Sequence, residues 1–194
     1  MSRLRATLGE GATGWHLPPA VDGAYAIGPG VGCDWTLFGA LAAAGALATA
    51  RQDMARAVAL YREALELVEG EPFADVPRGS FAWAESGPLV TDIRLAVARV
   101  AHELATLTRE SDPNTALWAT QQGLLLLPTQ LCLFDAAMAA SAELGDVAGL
   151  EQALAAKCWA HAQIDPDGGV PPETNELYRH LLARARETTS VRAA

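Results

Sequence analysis

From Asp34 to about Arg186, small and apolar residues recur every three or four positions, and each run ends at a Gly or Pro before the next begins. That period belongs to helices buried along one face and excludes an extended sheet, which needs strict alternation. Asp34 is placed to cap a helix running to about Ala50, with Leu37, Phe38, Leu41, Ala44, Gly45 and Ala48 on one side. Asp53 caps a second helix, whose stripe is Met54, Ala57, Val58, Tyr61, Ala64, Leu65 and Val68, with Gly70 and Pro72 as its stop. The two form an antiparallel hairpin over residues 38–69 with Tyr61 against Gly45. A loop follows through Pro72, Pro77 and Gly79. A long helix then carries Leu89, Ile93, Ala96, Val97, Val100, Leu104 and Leu107, with Gly87 and Pro88 kinking its first turns. Asp112 and Pro113 open the next, which Pro128 ends. Residues 129–144, 146–164 and 172–186 complete an all-α body of about seven helices, leaving 187–194 as a disordered tail.

Small residues also repeat at longer range. Ala57, Tyr61 and Ala64, with Gly45 twelve residues before Ala57, have the spacing of a tetratricopeptide-like helix pair. A second copy keeps Ala116 and Pro128 but places Thr120 at the aromatic position and Gly123 at the last small one. A third, around Gly149, Ala153 and Ala156, keeps only small residues. Three copies in series favour a degenerate solenoid.

Charge restricts the partners. The net charge is −9, yet in residues 1–33 Arg3 and Arg5 balance Glu10 and Asp22, so the helical body holds the whole excess. Such a body is repelled by phosphate backbones, because nucleic-acid affinity rests on basic side chains displacing counterions. Lys157 is the only lysine and reads as genomic composition bias. No stretch is long and apolar enough for a bilayer, and Cys33, Cys132 and Cys158 give no disulfide framework, which together point to the cytoplasm.

The first 33 residues differ. Residues 2–8 read as a short basic helix end stopped by Gly9, and 15–27 as a two-stranded hairpin around Gly23. The segment Leu4-Arg5, Leu8-Gly9 and Gly23-Ala24-Tyr25-Ala26-Ile27 resembles the end of the recognition helix and the wing of a response-regulator-type winged helix. Asp34 and Phe38, the run from Ala57 to Leu67, Gly70-Glu71-Pro72, Trp83, Leu89, Pro128, Gly145 and Pro171-Pro172-Glu173-Thr174 with Leu177-Tyr178 resemble the bacterial transcriptional activator domain of SARP-type regulators. This resemblance implies residues 1–33 as a C-terminal winged-helix remnant, 34–186 as the activator domain, and the rest of a winged helix upstream of Met1. It also implies that promoter DNA is bound only through the full-length winged helix, and that the helical domain mediates dimerisation or passes a signal to it. Arg3 and Arg5 are the residues it offers as DNA contacts, in a wing otherwise poor in basic residues. The run Gly32-Cys33-Asp34-Trp35 further resembles actinobacterial proteins that place this module behind a membrane segment and a LysM domain, which implies the cytoplasmic portion of a membrane-anchored protein.

Chemistry is expected to be absent. The glycines at 28, 30 and 32 lack the helix that would cradle a phosphate, Cys158 and His161 fall short of a metal ligand set, and the histidines and carboxylates form no acid–base constellation. The chain is therefore read as no enzyme, with no cofactor and no small-molecule substrate. Its partner is expected to be a protein or a second copy, bound through the repeats. Trp83, Trp118 and Trp159 either line an interaction groove or fill the core. Trp15, Tyr25 and Ile27 need an apolar surface and are expected to form a contact between the N-terminal hairpin and the helices. The alternative reading is a helical-repeat interaction scaffold unrelated to transcription.

Overall fold

The computed structural model describes residues 6–23, 26–28, 30–74, 77 and 87–193. They divide into two units, Met1–Ala40 and Leu41–Ala194, and the first long helix crosses the division.

In the N-terminal unit a helical turn at 6–8 ends at Gly9, whose φ of +73° suits glycine. Strands β1 (Glu10–Gly11) and β2 (Gly14–Trp15) then pair antiparallel, with Glu10 opposite Trp15. This hairpin, with its tip at Ala12 and Thr13, precedes the one expected around Gly23, where Val21 makes a bridge and residues 24–25 lie outside the described residues. Pro18 and Pro19 cannot donate to a ladder, so the β1–β2 pairing does not run on through them. The chain does return near Gly28, whose N–H donates to the His16 carbonyl at 2.8 Å, after a turn in which Asp22 and Gly23 both have positive φ. Leu17 is buried there.

Seven long helices follow among the described residues. They are α1 (Asp34–Ala50), α2 (Met54–Glu66), α3 (Leu89–Thr108), α4 (Pro113–Leu126), α5 (Leu131–Leu144), α6 (Val147–Ile164) and α7 (Pro172–Ala193). Three start on an aspartate whose side chain accepts from the backbone N–H three residues on. Asp53 takes Arg56 at 3.1 Å, Asp112 takes Thr115 at 3.2 Å and Asp146 takes Gly149 at 2.9 Å. Each quenches one of the free donors at a helix start, a contribution of about 1 kcal/mol. Pro88 sits just before α3 and so opens the helix without kinking it. Gly145, with φ +71°, closes α5 and leaves one residue before α6.

Packing follows chain order. Each helix from α2 onward lies on the next, and α3 also meets α5, as α5 meets α7. Close approach is set by missing side chains. A Cβ on Gly45 of α1 would lie 2.5 Å from the Tyr61 ring of α2, and one on Gly123 of α4 would lie 2.8 Å from the Ala101 methyl of α3. Two helices can come this near only where one contributes backbone alone. The expected hairpin with Tyr61 on Gly45 is therefore present.

One expectation fails at the C-terminus. Residues 187–193 are not a loose tail but continue α7. Leu181 and Ala185 of α7 pack with Met138, Ala139 and Ala142 of α5 and Leu150 of α6. The Thr189 hydroxyl then donates to the Gly145 carbonyl at 3.0 Å, which ties the end of the helix to the α5–α6 turn. No helix among the described residues is long and apolar enough to cross a membrane.

Candidate functional site

The first hairpin and α3 enclose an open groove of about 280 Å³. Its walls follow from the sequence period. Ala42, Ala46 and Ala50 recur every four residues and so form one row on α1, while Arg99, Val100 and Glu103 occupy the facing row of α3. Tyr61, buried to 3% exposure between Gly45 and α3, is the floor. Alanine walls leave the space a larger residue would fill. Arg99 and Glu103 stand one turn apart on the rim, and neither makes an ion pair or hydrogen bond among the described residues. Some other charges are paired, Arg62 with Glu66 at 3.2 Å, Arg94 with Glu71 at 2.7 Å and Arg184 with Glu143 at 2.8 Å.

The tryptophans separate. Trp118 on α4 is half-buried beneath the Arg62 guanidinium, which lies 5.7 Å from its ring, so this pair braces α2 to α4. Arg62 also helps hold the neighbouring Asp112 carboxyl below the usual carboxylate range. The larger cause there is the Thr115 hydroxyl, which donates to Asp112 at 2.6 Å. Trp159 on α6 is 61% exposed and belongs to no core, and no described contact joins it to Trp118. Trp83 lies outside the described residues.

So do Arg3, Arg5 and Tyr25. Trp15 and Ile27 are 42% and 69% exposed. Near α2, Glu66 and Glu71 are paired with Arg62 and Arg94.

Sequence reasoning missed two features. Lys157 is buried to 8% exposure on α6 and reaches Asp135 on α5 at 2.5 Å, so the lone lysine is a structural cation and not a mark of composition alone. Arg99 and Glu103, visible in the sequence only as an ordinary four-residue charge spacing, lie on the groove rim.

Compared with known proteins, residues 33–156 match the family model described as the bacterial transcriptional activator domain. No curated protein and no solved structure matches the chain.

Proposed function

The chain belongs to the bacterial transcriptional activator domain family and is a regulatory module related to transcriptional activators; on that premise we propose that its helices mediate dimerisation or transmit a protein signal to an attached winged helix. The match over residues 33–156 carries the reading, and it covers helices α1 to α5 and half of α6. The serial packing of the helices and the Tyr61–Gly45 contact support a tetratricopeptide-like stack, an architecture suited to gripping another protein along its grooves.

In this proposal residues 1–33 end a winged helix, with the β1–β2 hairpin and the Gly28–His16 hydrogen bond as remnants of its wing. Arg3 and Arg5 would face phosphate or base edges, and promoter binding would require the whole winged helix because the helical body carries the net negative charge. Trp15, Tyr25 and Ile27 would carry the signal between the two parts. Hydrogen exchange checks this last step: slow amides over residues 15–23 and 26–28 support it, and unfolded-chain rates there with protected helices reject it.

The regulatory role is tested by fusing the chain to a heterologous operator-binding domain that is inactive as a monomer. Reporter output should change relative to the unfused domain. Identical output with both proteins folded and equally abundant overturns the proposal.

A further inference from the structure

We propose that the exposed face of α6 centred on Trp159 docks a basic amphipathic helix of another protein, whose apolar stripe packs around the indole while its arginine or lysine side chains meet the carboxylates at the edge. The inference rests on the regulatory reading above and gives the chemistry of the partner. It starts from a periodicity of exposure. Ala148, Gln152, Ala155, Trp159 and Ala162 are all exposed and follow one another at alternating spacings of four and three residues. That spacing is the seam by which one helix packs on another, here turned to solvent on a helix whose opposite side, Leu150, Lys157 and Ala160, is already buried. Trp159 is its centre because nothing on its own helix covers it. The neighbours one turn away are Ala155, Ala156, Ala162 and Gln163, so three of the four are alanines, and the ring stands clear at 61% exposure, more than any other aromatic among the described residues. A large aromatic flanked by small residues is a knob for a facing helix, and such aromatics anchor helical recognition.

The edge of the seam decides which helix it takes. The formal charges on α6 and the turns that bound it are Asp146, Glu151, Lys157, Asp165 and Asp167. Lys157 is buried against Asp135, so every exposed charge among them is a carboxylate. The helix beneath, α5, adds Asp135 and Glu143 and no basic residue. Glu151 borders the seam one turn before Ala155, while Asp165 and Asp167 follow its C-terminal end. A basic helix is drawn to this edge and an acidic one is repelled, and the indole face itself favours a cation laid over it. The family match ends at residue 156, so Trp159 and Ala162 lie beyond the matched residues and the centre of the surface is a feature of this chain's own sequence.

A display library of random peptides, selected on the full chain and counter-selected on its Trp159→Glu variant, reads the chemistry of the partner without presuming its identity, with circular dichroism verifying that each variant folds. The recovered peptides are expected to be net basic, with apolar residues at three- and four-residue spacing. A labelled recovered peptide, titrated by anisotropy at physiological salt, should bind about tenfold or more weakly to Trp159→Ala, a change that leaves the charge untouched and so separates docking from mere attraction to an acidic chain. Glu151→Gln combined with Asp167→Asn should also weaken binding and flatten its salt dependence. A selection that recovers nothing, or neutral or acidic peptides, overturns the proposal. So does an affinity indifferent to Trp159→Ala, or a salt dependence unmoved by removing the two carboxylates. An operator-fusion reporter whose response survives Trp159→Ala overturns this docking surface alone. Peptide binding that depends on Trp159, in a fusion that gives no reporter response, supports the surface and overturns the regulatory reading alone.

Discussion

Replacing Gly45 with alanine sets two known effects against each other at one position. Alanine is better than glycine in a helix interior by about 1 kcal/mol, so without a neighbour the change stabilises α1. Here the new methyl would lie 2.5 Å and 2.6 Å from Tyr61 Cε1 and Cδ1, about 1 Å inside normal carbon contact. Tyr61 is 3% exposed, packed between Gly45 and α3, and could yield only toward the groove it floors, at the cost of its present packing. Overpacking of that kind costs about 1–3 kcal/mol, so the net expectation is a loss of about 1 kcal/mol, and of more for Gly45→Val. The contrast is sharpest in a second background. Tyr61→Ala alone should cost about 3 kcal/mol through the cavity it leaves, but Gly45→Ala added to it should now stabilise, because only the helix-propensity term remains. Urea unfolding followed by helical ellipticity gives all four corners of the cycle, and the coupling should be about 2 kcal/mol. If Gly45→Ala has the same sign and size in both backgrounds, the ring does not rest on the glycine and the account of the hairpin is wrong.

Three further outcomes are expected. Asp135→Ala should cost about 1–3 kcal/mol because it leaves the Lys157 ammonium unpaired among apolar helices, whereas Lys157→Met should be near neutral, and equal losses in thermal scans would refute the asymmetry. Because Asp112 has a lowered folded-state pKa, its contribution is present above its unfolded pKa and fades as the pH drops through the folded value; Asp112→Asn should therefore flatten the acid limb of a melting-temperature profile, and an unchanged limb would count against it. The chain alone should bind duplex DNA weakly and without sequence preference, so submicromolar, sequence-dependent anisotropy at physiological salt contradicts the charge argument.

Three helix starts were legible because their cause is local, whereas Asp34, expected as a cap, lies inside α1 and accepts only from the Trp35 N–H at 2.7 Å. An aspartate at the N-cap accepts from the backbone N–H three residues on, and Asp53, Asp112 and Asp146 do so. The glycine–tyrosine contact was legible because the short turn after α1 folds the chain back at once, so a residue late in α1 must meet one early in the next helix. Trp159 was not, because α6 is apolar on most sides and no stripe distinguishes its buried face. The β1–β2 hairpin was missed because each of its strands is only two residues long and shows no alternation. Lys157 and Asp135 are 22 residues apart, on different helices, and only the packing of α5 on α6 brings them together.

The end of the chain gives the same distinction its clearest form. Polar residues dominate 187–193, and composition alone therefore suggests a frayed tail. Yet the helix that leads into them is held by Leu181 and Ala185, which fill the space left by Met138, Ala142 and Leu150. A helix that is apolar on one side and polar on the other covers the apolar face it packs against. The family match ends at residue 156, inside α6, whereas the core runs on into α7. Resemblance and cooperativity thus have different boundaries. A fragment cut at the match would keep the family's recognisable residues but strip Met138, Ala142 and Leu150 of the cover that Leu181 and Ala185 of α7 provide.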